Sequence, residues 1–296
     1  RTISMAIAME TLLAELATEL GELVPGVRIN NNTLSGQVTT AAVGTSIVDV
    51  NNRFELDPDG LSFNYLRVVS DSTTIANQNV VVQIATYNTA TNTITTTAGL
   101  ASTSTNTQYQ IFRRLPPSAY LQAITESIRS AFPAIHASKS DTSLTILAQT
   151  YIYTVPPDFD EVTLVEIQTN LGIASFPYKQ IPFDLIKSDE LQTIQLLETY
   201  PATYKIRLTG MGAMTAPTSL ISTINVSGDD IEIIKMGAKS SLYRRLAGIA
   251  SDGSEDQGNF LGLAKTYYDL FQEAKRSHRK LTPKMQIIRD PRYGWL

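Results

Sequence analysis

The chain has no cysteine, two histidines and a single tryptophan. Without cysteine there is no disulfide scaffold, no thiolate metal site and no cysteine nucleophile, and the absence fits a reducing compartment. No apolar run approaches the roughly 20 residues that a helix needs to cross a bilayer. The stretch from Met5 to Leu20 carries Glu10, Glu15 and Glu19 inside its apolar pattern, which the apolar core of a secretory leader would not. Charge is sparse: 18% of residues are charged and the formal net charge is −4. The general attraction of a basic domain for nucleic acid is therefore missing. What is present is apolar material, 43% of 296 residues. That is enough for two modest domains, or for one core with insertions.

Helical and strand-like blocks alternate along the chain. Met5, Ala8, Met9, Leu12, Leu16 and Leu20 recur at helical spacing, with Ser4 as N-cap and Gly21 and Pro25 as stop signals. From Val27 to Arg114 the chain turns rich in Thr, Asn, Ser and Val. Its short β-type runs, Ser46 to Val50, Phe63 to Val69, Val80 to Tyr87, Thr93 to Thr97 and Tyr109 to Arg113, predict a small antiparallel barrel or sandwich. Pro116-Pro117-Ser118 then opens a second helix, with Ser118 as N-cap and Leu121, Ile124, Ile128, Ala131, Phe132 and Ile135 on one face. A second β-rich stretch follows. Strands are expected at Ser143 to Ala148, Thr150 to Val155, Val162 to Gln168 and Tyr204 to Thr209, with a short helix between Ile181 and Leu197.

The C-terminal part reads as helical again. Asp229 and Asp230 start a helix whose apolar face is Ile231, Ile234, Ala238, Leu242 and Leu246, with acids at its start as the helix dipole favours. A helix from Asp256 to Lys280 follows, lined on one side by Phe260, Leu263, Tyr267, Leu270, Phe271 and Ala274. At 1.5 Å per residue it would be about 40 Å long. Beyond Lys280, Pro283 and Pro291 discourage regular structure. Lys275, Arg276, Arg279, Lys280, Lys284, Arg289 and Arg292 fall within the last 22 residues against Asp290 alone, interleaved toward the end with Tyr293, Trp295 and Leu296. A peptide arm docking on an acidic protein surface, a solvated tail and a nucleic-acid contact all fit this composition. The aromatic residues and arginines favour the arm, because such side chains anchor interfaces.

Catalytic patterns are missing. His136 and His278 sit at helix ends, and no serine has the context of a nucleophile elbow. Gly237-Ala238-Lys239-Ser240 lies inside an amphipathic helix, where its amides are not free to cradle a phosphate. Asp57 with Asp59, and Asp229 with Asp230 and Glu232, are explained by a turn and by a helix start rather than by metal spacing. No enzyme activity, cofactor or metal is expected.

Several segments resemble the head-to-tail adaptor (connector) proteins of tailed bacteriophages. Gly44-Thr45-Ser46-Ile47-Val48-Asp49, the run from Thr86 to Thr95 and Tyr109-Gln110-Ile111-Phe112-Arg113 look like a β module of phage neck proteins. Leu121 to Ile124 continuing through Ala131 to Ile135 looks like the helix that follows it, and Tyr151 to Phe159 like a strand end of such adaptors. Asp229 to Leu246, the long helix and the tail match the C-terminal architecture. The resemblance implies a structural virion protein at the head–tail junction, made in the host cytoplasm. It would form a homomeric ring, usually of twelve subunits, on the portal protein ring beneath one capsid vertex. Tail or further neck proteins would bind it, DNA would pass through its channel without sequence-specific contact, and no membrane is involved. By the same resemblance Arg289, Arg292, Tyr293, Trp295 and Leu296 form a portal-docking arm. Ile231, Ile234, Leu242, Leu246, Phe260, Tyr267, Leu270 and Phe271 belong to the helices of the ring body.

The expected fold class is α+β: a helical bundle core, an inserted antiparallel β barrel or sandwich module, a second β-rich segment and an extended C-terminal arm. Its pieces are an N-terminal core helix (1–26), the β module (27–114), a core helix (115–140), the second β-rich segment (141–227), the C-terminal core helices (228–281) and the arm (282–296). A hydrolase with an unfamiliar site is a rival class, which would need His136 or His278 in a pocket beside a carboxylate or hydroxyl. Two further alternatives stand beside the adaptor. One is a carbohydrate- or host-surface-binding module, for which Phe54, Phe63 and Tyr65 would have to be exposed. The other is a different neck protein such as a tail terminator.

Overall fold

The structure is a computed structural model. It describes the chain except for residues 1–3, 24–26, 29–35, 42–43, 51, 54–63, 72–73, 106, 169–177, 188–190, 252 and 279–296. In chain order the elements begin with β1 (Ser4–Ala8), α1 (Met9–Glu19), β2 (Val27–Arg28), β3 (Gly36–Gln37), β4 (Gly44–Val48), β5 (Asn52–Arg53) and β6 (Tyr65–Ser70). Next come β7 (Val81–Asn88), β8 (Thr93–Leu100), β9 (Gln108–Phe112), α2 (Pro117–Ala131), β10 (Ala137–Asp141), β11 (Ile152–Thr154) and β12 (Glu161–Gln168). The rest are β13 (Tyr178–Gln180), β14 (Phe183–Lys187), β15 (Gln192–Leu196), β16 (Ile206–Gly212), β17 (Thr223–Ser227), α3 (Gly228–Ile249) and α4 (Glu255–His278). The chain divides into two compact units, one of Arg1–Ser130 with Ala216–Ala274, the other of Ala131–Thr215 with Lys275–Leu296.

In the first unit, β3, β9, β6, β7, β8 and β4 form a six-stranded antiparallel sheet in that order. Its alternating residues bury Val38, Ile47, Leu66, Val68, Val82, Ile84, Ile94, Leu100, Tyr109 and Ile111 on one side. The sheet curls far enough for Thr39 and Thr40, just past β3, to meet Val48 at the end of β4. Gly36 permits part of this curl, because a Cβ there would lie 2.3 Å from the Tyr109 ring. The Tyr109 hydroxyl in turn donates to the buried Asp49 carboxylate at 2.8 Å. A second buried carboxylate, Asp71, accepts from the Thr74 amide, the Asn77 side chain and the Thr107 hydroxyl at 2.9, 3.1 and 2.9 Å. Asn77 and Thr107 of this stretch thus serve a buried acceptor, which would otherwise be costly.

The helices of this unit gather on α3. Lys235 and Lys239 pair with Glu15 and Glu19 of α1 at 2.7 and 2.5 Å. The Ser127 hydroxyl of α2 donates to the Ile234 carbonyl at 2.8 Å, and a Cβ on Gly237 would lie 2.3 Å from that hydroxyl. The Ser240 hydroxyl donates to the Ala264 carbonyl of α4 at 2.9 Å. Small side chains thus let α2 and α4 approach α3 closely, while α1 is joined to it by ion pairs. In the second unit, β10, β16, β12 and β13 form one antiparallel sheet and β11, β15 and β14 another. Between them these elements bury a core that includes Tyr153, Phe159, Val162, Val165, Ile194, Leu196, Ile206 and Leu208.

The expected helical bundle core is overturned. Seventeen strands and four helices stand among the described residues, and antiparallel sheet runs through both units. Three local readings failed with it. Ser4 to Ala8 is a strand rather than a helix capped by Ser4, because its backbone pairs with β17 from Ser4–Ser227 to Ala8–Thr223. The short helix expected between Ile181 and Leu197 is the β14–β15 pair. Of Ser143 to Ala148 only Thr145 forms a bridge, to Lys205. The first error arises because a partner distant in sequence takes up backbone groups that local spacing assigned to a helix, whereas β14 and β15 are neighbours that pair as a hairpin. At the second helix Pro117, not Ser118, marks the start. Proline suits that first position, where an amide would lack a partner anyway.

Two glycines test the close packing. A Cβ on Gly210 of β16 would lie 2.0 Å from the Glu161 carbonyl oxygen, whereas one on Gly262 of α4 meets nothing within 4 Å. Gly210→Ala is expected to lower stability by about 1–3 kcal/mol or more through overpacking. Gly262→Ala should raise it by up to about 1 kcal/mol through helix propensity. Urea denaturation of both variants checks the pair.

Candidate interaction surface on helix α4 and the clamp behind it

Helix α4 is started by its own side chains. The Ser254 hydroxyl accepts from the Gln257 amide at 3.2 Å, and the Gln257 side chain accepts from the Gly253 amide at 2.8 Å. This is a reciprocal cap of the Ser-x-x-Gln type. Acids Glu255 and Asp256 occupy the first turn and Lys275, Arg276 and His278 the last, as the helix dipole favours. The inner face buries Ala264 and Phe271. Beside them Tyr243 of α3 lies between Phe260 and Tyr267, with ring centroids 6.3 and 5.6 Å away and interplanar angles of 26° and 12°. The guanidinium of Arg114 sits 5.1 Å from the Phe260 centroid, and the Lys239 ammonium 5.0 Å from that of Tyr267. Such cation–ring contacts fix the helix by charge as well as by area.

Arg114 is shared with a second contact. Its Nε and Nη2 donate to Oε1 of the fully buried Glu22 at 2.9 and 2.6 Å, and its own amide donates to Oε2 at 2.8 Å. The Arg113 amide also donates to the Glu22 carbonyl at 2.8 Å, and Leu23 bridges Phe112. The turn after α1 is thereby sewn to the end of β9. Gly21 allows that turn, at φ 68°. Nearby, Phe112 and Tyr120 rings meet at 5.8 Å. Burial, reinforced by Glu22 and opposed by Arg114, pushes the Tyr120 phenol far above its ordinary range. Burial likewise raises Tyr243. Farther along the sheet, buried Arg67 of β6 pairs with Glu10 of α1 and donates to Asn79. Burial lowers the Arg67 pKa and Glu10 opposes that shift.

The residues singled out in the sequence fall in different places. Ile231, Ile234, Leu242, Leu246 and Phe271 are buried within the chain, Phe260 and Tyr267 are half-buried against Tyr243, and Leu270 is exposed. Arg289, Arg292, Tyr293, Trp295 and Leu296, like Asp57 and Asp59, lie outside the described residues. His136 meets the exposed Asp160 at 3.2 Å, and His278 ends α4. Among the described residues no group of three or more His, Asp or Glu side chains could hold a metal ion, and no helix is long and apolar enough to cross a membrane.

Sequence reading missed Leu261 and Tyr268 as surface residues and placed Leu263 on the inner stripe. Leu261, Leu263, Tyr268 and Leu270 are 50, 40, 46 and 42% exposed. The signal was present as two apolar pairs, each seven residues apart, flanking the buried stripe. A search of protein-family models finds no match, and neither does a search of curated proteins.

Two predictions follow from the clamp. Glu22→Gln is expected to cost about 1.5–3 kcal/mol, the range for hydrogen bonds to a charged group. Arg114→Ala strands a buried carboxylate and should cost about 3 kcal/mol or more. Chemical denaturation of both variants and of their double variant measures the coupling. The second prediction concerns pH. Tyr120 and Tyr243 are raised from the ordinary 10.0, so the unfolded chain loses these protons first. Their contribution is intact below about pH 10 and is lost as pH rises beyond it. Tyr120→Phe should flatten part of that alkaline loss. At neutral pH it should cost little, since the buried Tyr120 hydroxyl has no hydrogen-bond partner among the described residues. Stability measured at about pH 7 and about pH 10.5 tests both statements.

Proposed function

We propose that this chain is a structural assembly protein of a virion, a head-to-tail adaptor that forms a homomeric ring on a portal and joins the capsid vertex to the tail. The observation that carries the reading is helix α4. It is anchored on one face by Tyr243, Arg114 and Lys239, yet it leaves four large apolar side chains exposed. Apolar surface of that kind, held on a rigid element, suits a protein that works by association. The resemblance of Gly44 to Asp49, Thr86 to Thr95 and Tyr151 to Phe159 to phage neck proteins supports the adaptor class and, with it, twelve subunits and passage of DNA through the ring. The partners are then the portal ring, tail or further neck proteins and other copies of this chain. Within this reading Arg289 to Leu296 is the portal-docking arm, whose modest single contacts gain from repetition around the ring.

The test mixes purified chain with the purified portal protein of the same virus and measures the mass of the complex, with and without residues 289–296. A stoichiometric ring that vanishes on truncation is the expected result. A ring that survives truncation keeps the adaptor and removes the arm. No complex with the full chain overturns the adaptor and returns the chain to the binding-module class.

A further inference from the structure

The exposed apolar residues of α4 form two rows rather than one patch. Leu261, Lys265, Tyr268, Gln272 and Arg276 follow one another at spacings of three or four, so they line one flank. Asp256, Leu263, Leu270 and Glu273 line another, through Asn259 and Thr266. At about 100° per residue, the two-residue offset between Leu261 and Leu263 sets the flanks about 160° apart, nearly back to back. The buried stripe of Ala264 and Phe271 runs between them, against α3. Each flank has two large apolar side chains seven residues apart, which is the spacing of a seam between helices. The flanks differ in charge. The Leu261–Tyr268 row carries Lys265 and Arg276, with Asp269 beside them four residues after Lys265, and so a net positive charge, whereas the Leu263–Leu270 row carries Asp256 and Glu273 and no base.

A surface that paired with itself about a two-fold axis would set like beside like. Here that places lysine and arginine against lysine and arginine on one flank and acid against acid on the other. Two flanks of opposite charge and matched apolar spacing fit each other instead. We infer that the Leu261–Tyr268 flank of one copy packs against the Leu263–Leu270 flank of the next, making a head-to-tail contact between copies of this chain. Such contacts close into rings or run on as filaments, because each subunit uses two different faces. The inference rests on the assembly reading above and supplies the subunit contact that reading requires.

A heterologous contact has a diagnostic complementation. Leu263→Gln with Leu270→Gln removes one face, and Leu261→Gln with Tyr268→Gln removes the other. All four positions are exposed, so both double variants should match the parent in circular dichroism and thermal midpoint. The parent chain, measured by light scattering as its concentration is raised, is expected to assemble beyond the dimer. Each double variant alone should be monomeric, while an equimolar mixture should stop at a dimer, since one intact contact remains. A parent chain that stays monomeric at every concentration overturns the inference. So does a double variant that still assembles like the parent, or a mixture that stays monomeric. The adaptor reading is judged separately on the portal. If the parent rings there and both double variants ring equally well, the α4 contact is lost and the adaptor stands. If none of them binds portal while the complementation succeeds, the contact stands and the adaptor falls.

Discussion

A single carboxylate ties the first unit together. Glu22 follows directly on the Gly21 turn that ends α1, and it is fully buried. A buried acid is tolerated only when its oxygens are filled by donors, and here Arg114 fills them with two side-chain bonds and one from its own amide. The geometry thereby fixes where β9 ends, and α2 starts at Pro117, three residues beyond Arg114. The same guanidinium lies over Phe260, so the cation that the buried acid holds also contacts α4. Glu10 with Arg67 adds a second tie between α1 and the sheet. Removing the more exposed partner, Arg114 or Glu10, would leave the buried charge of Glu22 or Arg67 to bear the cost of burial, which is why such pairs behave as constraints more than as sources of net stability.

Around that tie, α3 acts as the common neighbour of the other helices. Its inner positions are chosen for closeness. Gly237 faces Ser127 and Phe271 with no room for a methyl group, and Ser127 and Ser240 use their hydroxyls to bond backbone carbonyls across helix contacts. Its lysines reach out to α1, where burial would lower Lys235 but hydrogen bonds to Glu15 and Glu232 more than offset it. With three helices on it, α3 has little surface to offer partners. Helix α4 is the opposite case: one face, with Ala264 and Phe271, is spent on α3, and Leu261, Leu263, Tyr268 and Leu270 on its flanks are exposed. Four large apolar side chains are exposed on α4, against Ile249 on α3.

Some of this was legible in the chain. The periodicity of Ile231, Ile234, Leu242 and Leu246 marked α3, and Val81–Asn88 and Thr93–Leu100 were readable as strands, because their turn residues and β-branched alternation are local signals. Helix α4 was likewise visible, but its faces were not. Leu263 and Leu270 look like core in a helical projection, and only the meeting with α3, Ser240 at Ala264 and Gly237 at Phe271, decides that these two are the buried pair. The helical bundle expected from the N-terminal pattern failed because Ser4 to Ala8 finds its partner in Thr223–Ser227, across the whole β module and second unit.

The sequence by itself determined the absences, the turn chemistry and the positions of the longest periodic elements. Those follow from residue type and from contacts between near neighbours. Tertiary structure alone decided which strands pair, which acids are buried and which face of α4 is left open. Those outcomes depend on backbone and side-chain groups brought together from far apart in the chain, such as Glu22 with Arg114 or Ile7 with Ile224. Spacing along the chain carries no record of such meetings, since backbone hydrogen bonding is indifferent to side-chain identity and burial is a property of the assembled fold.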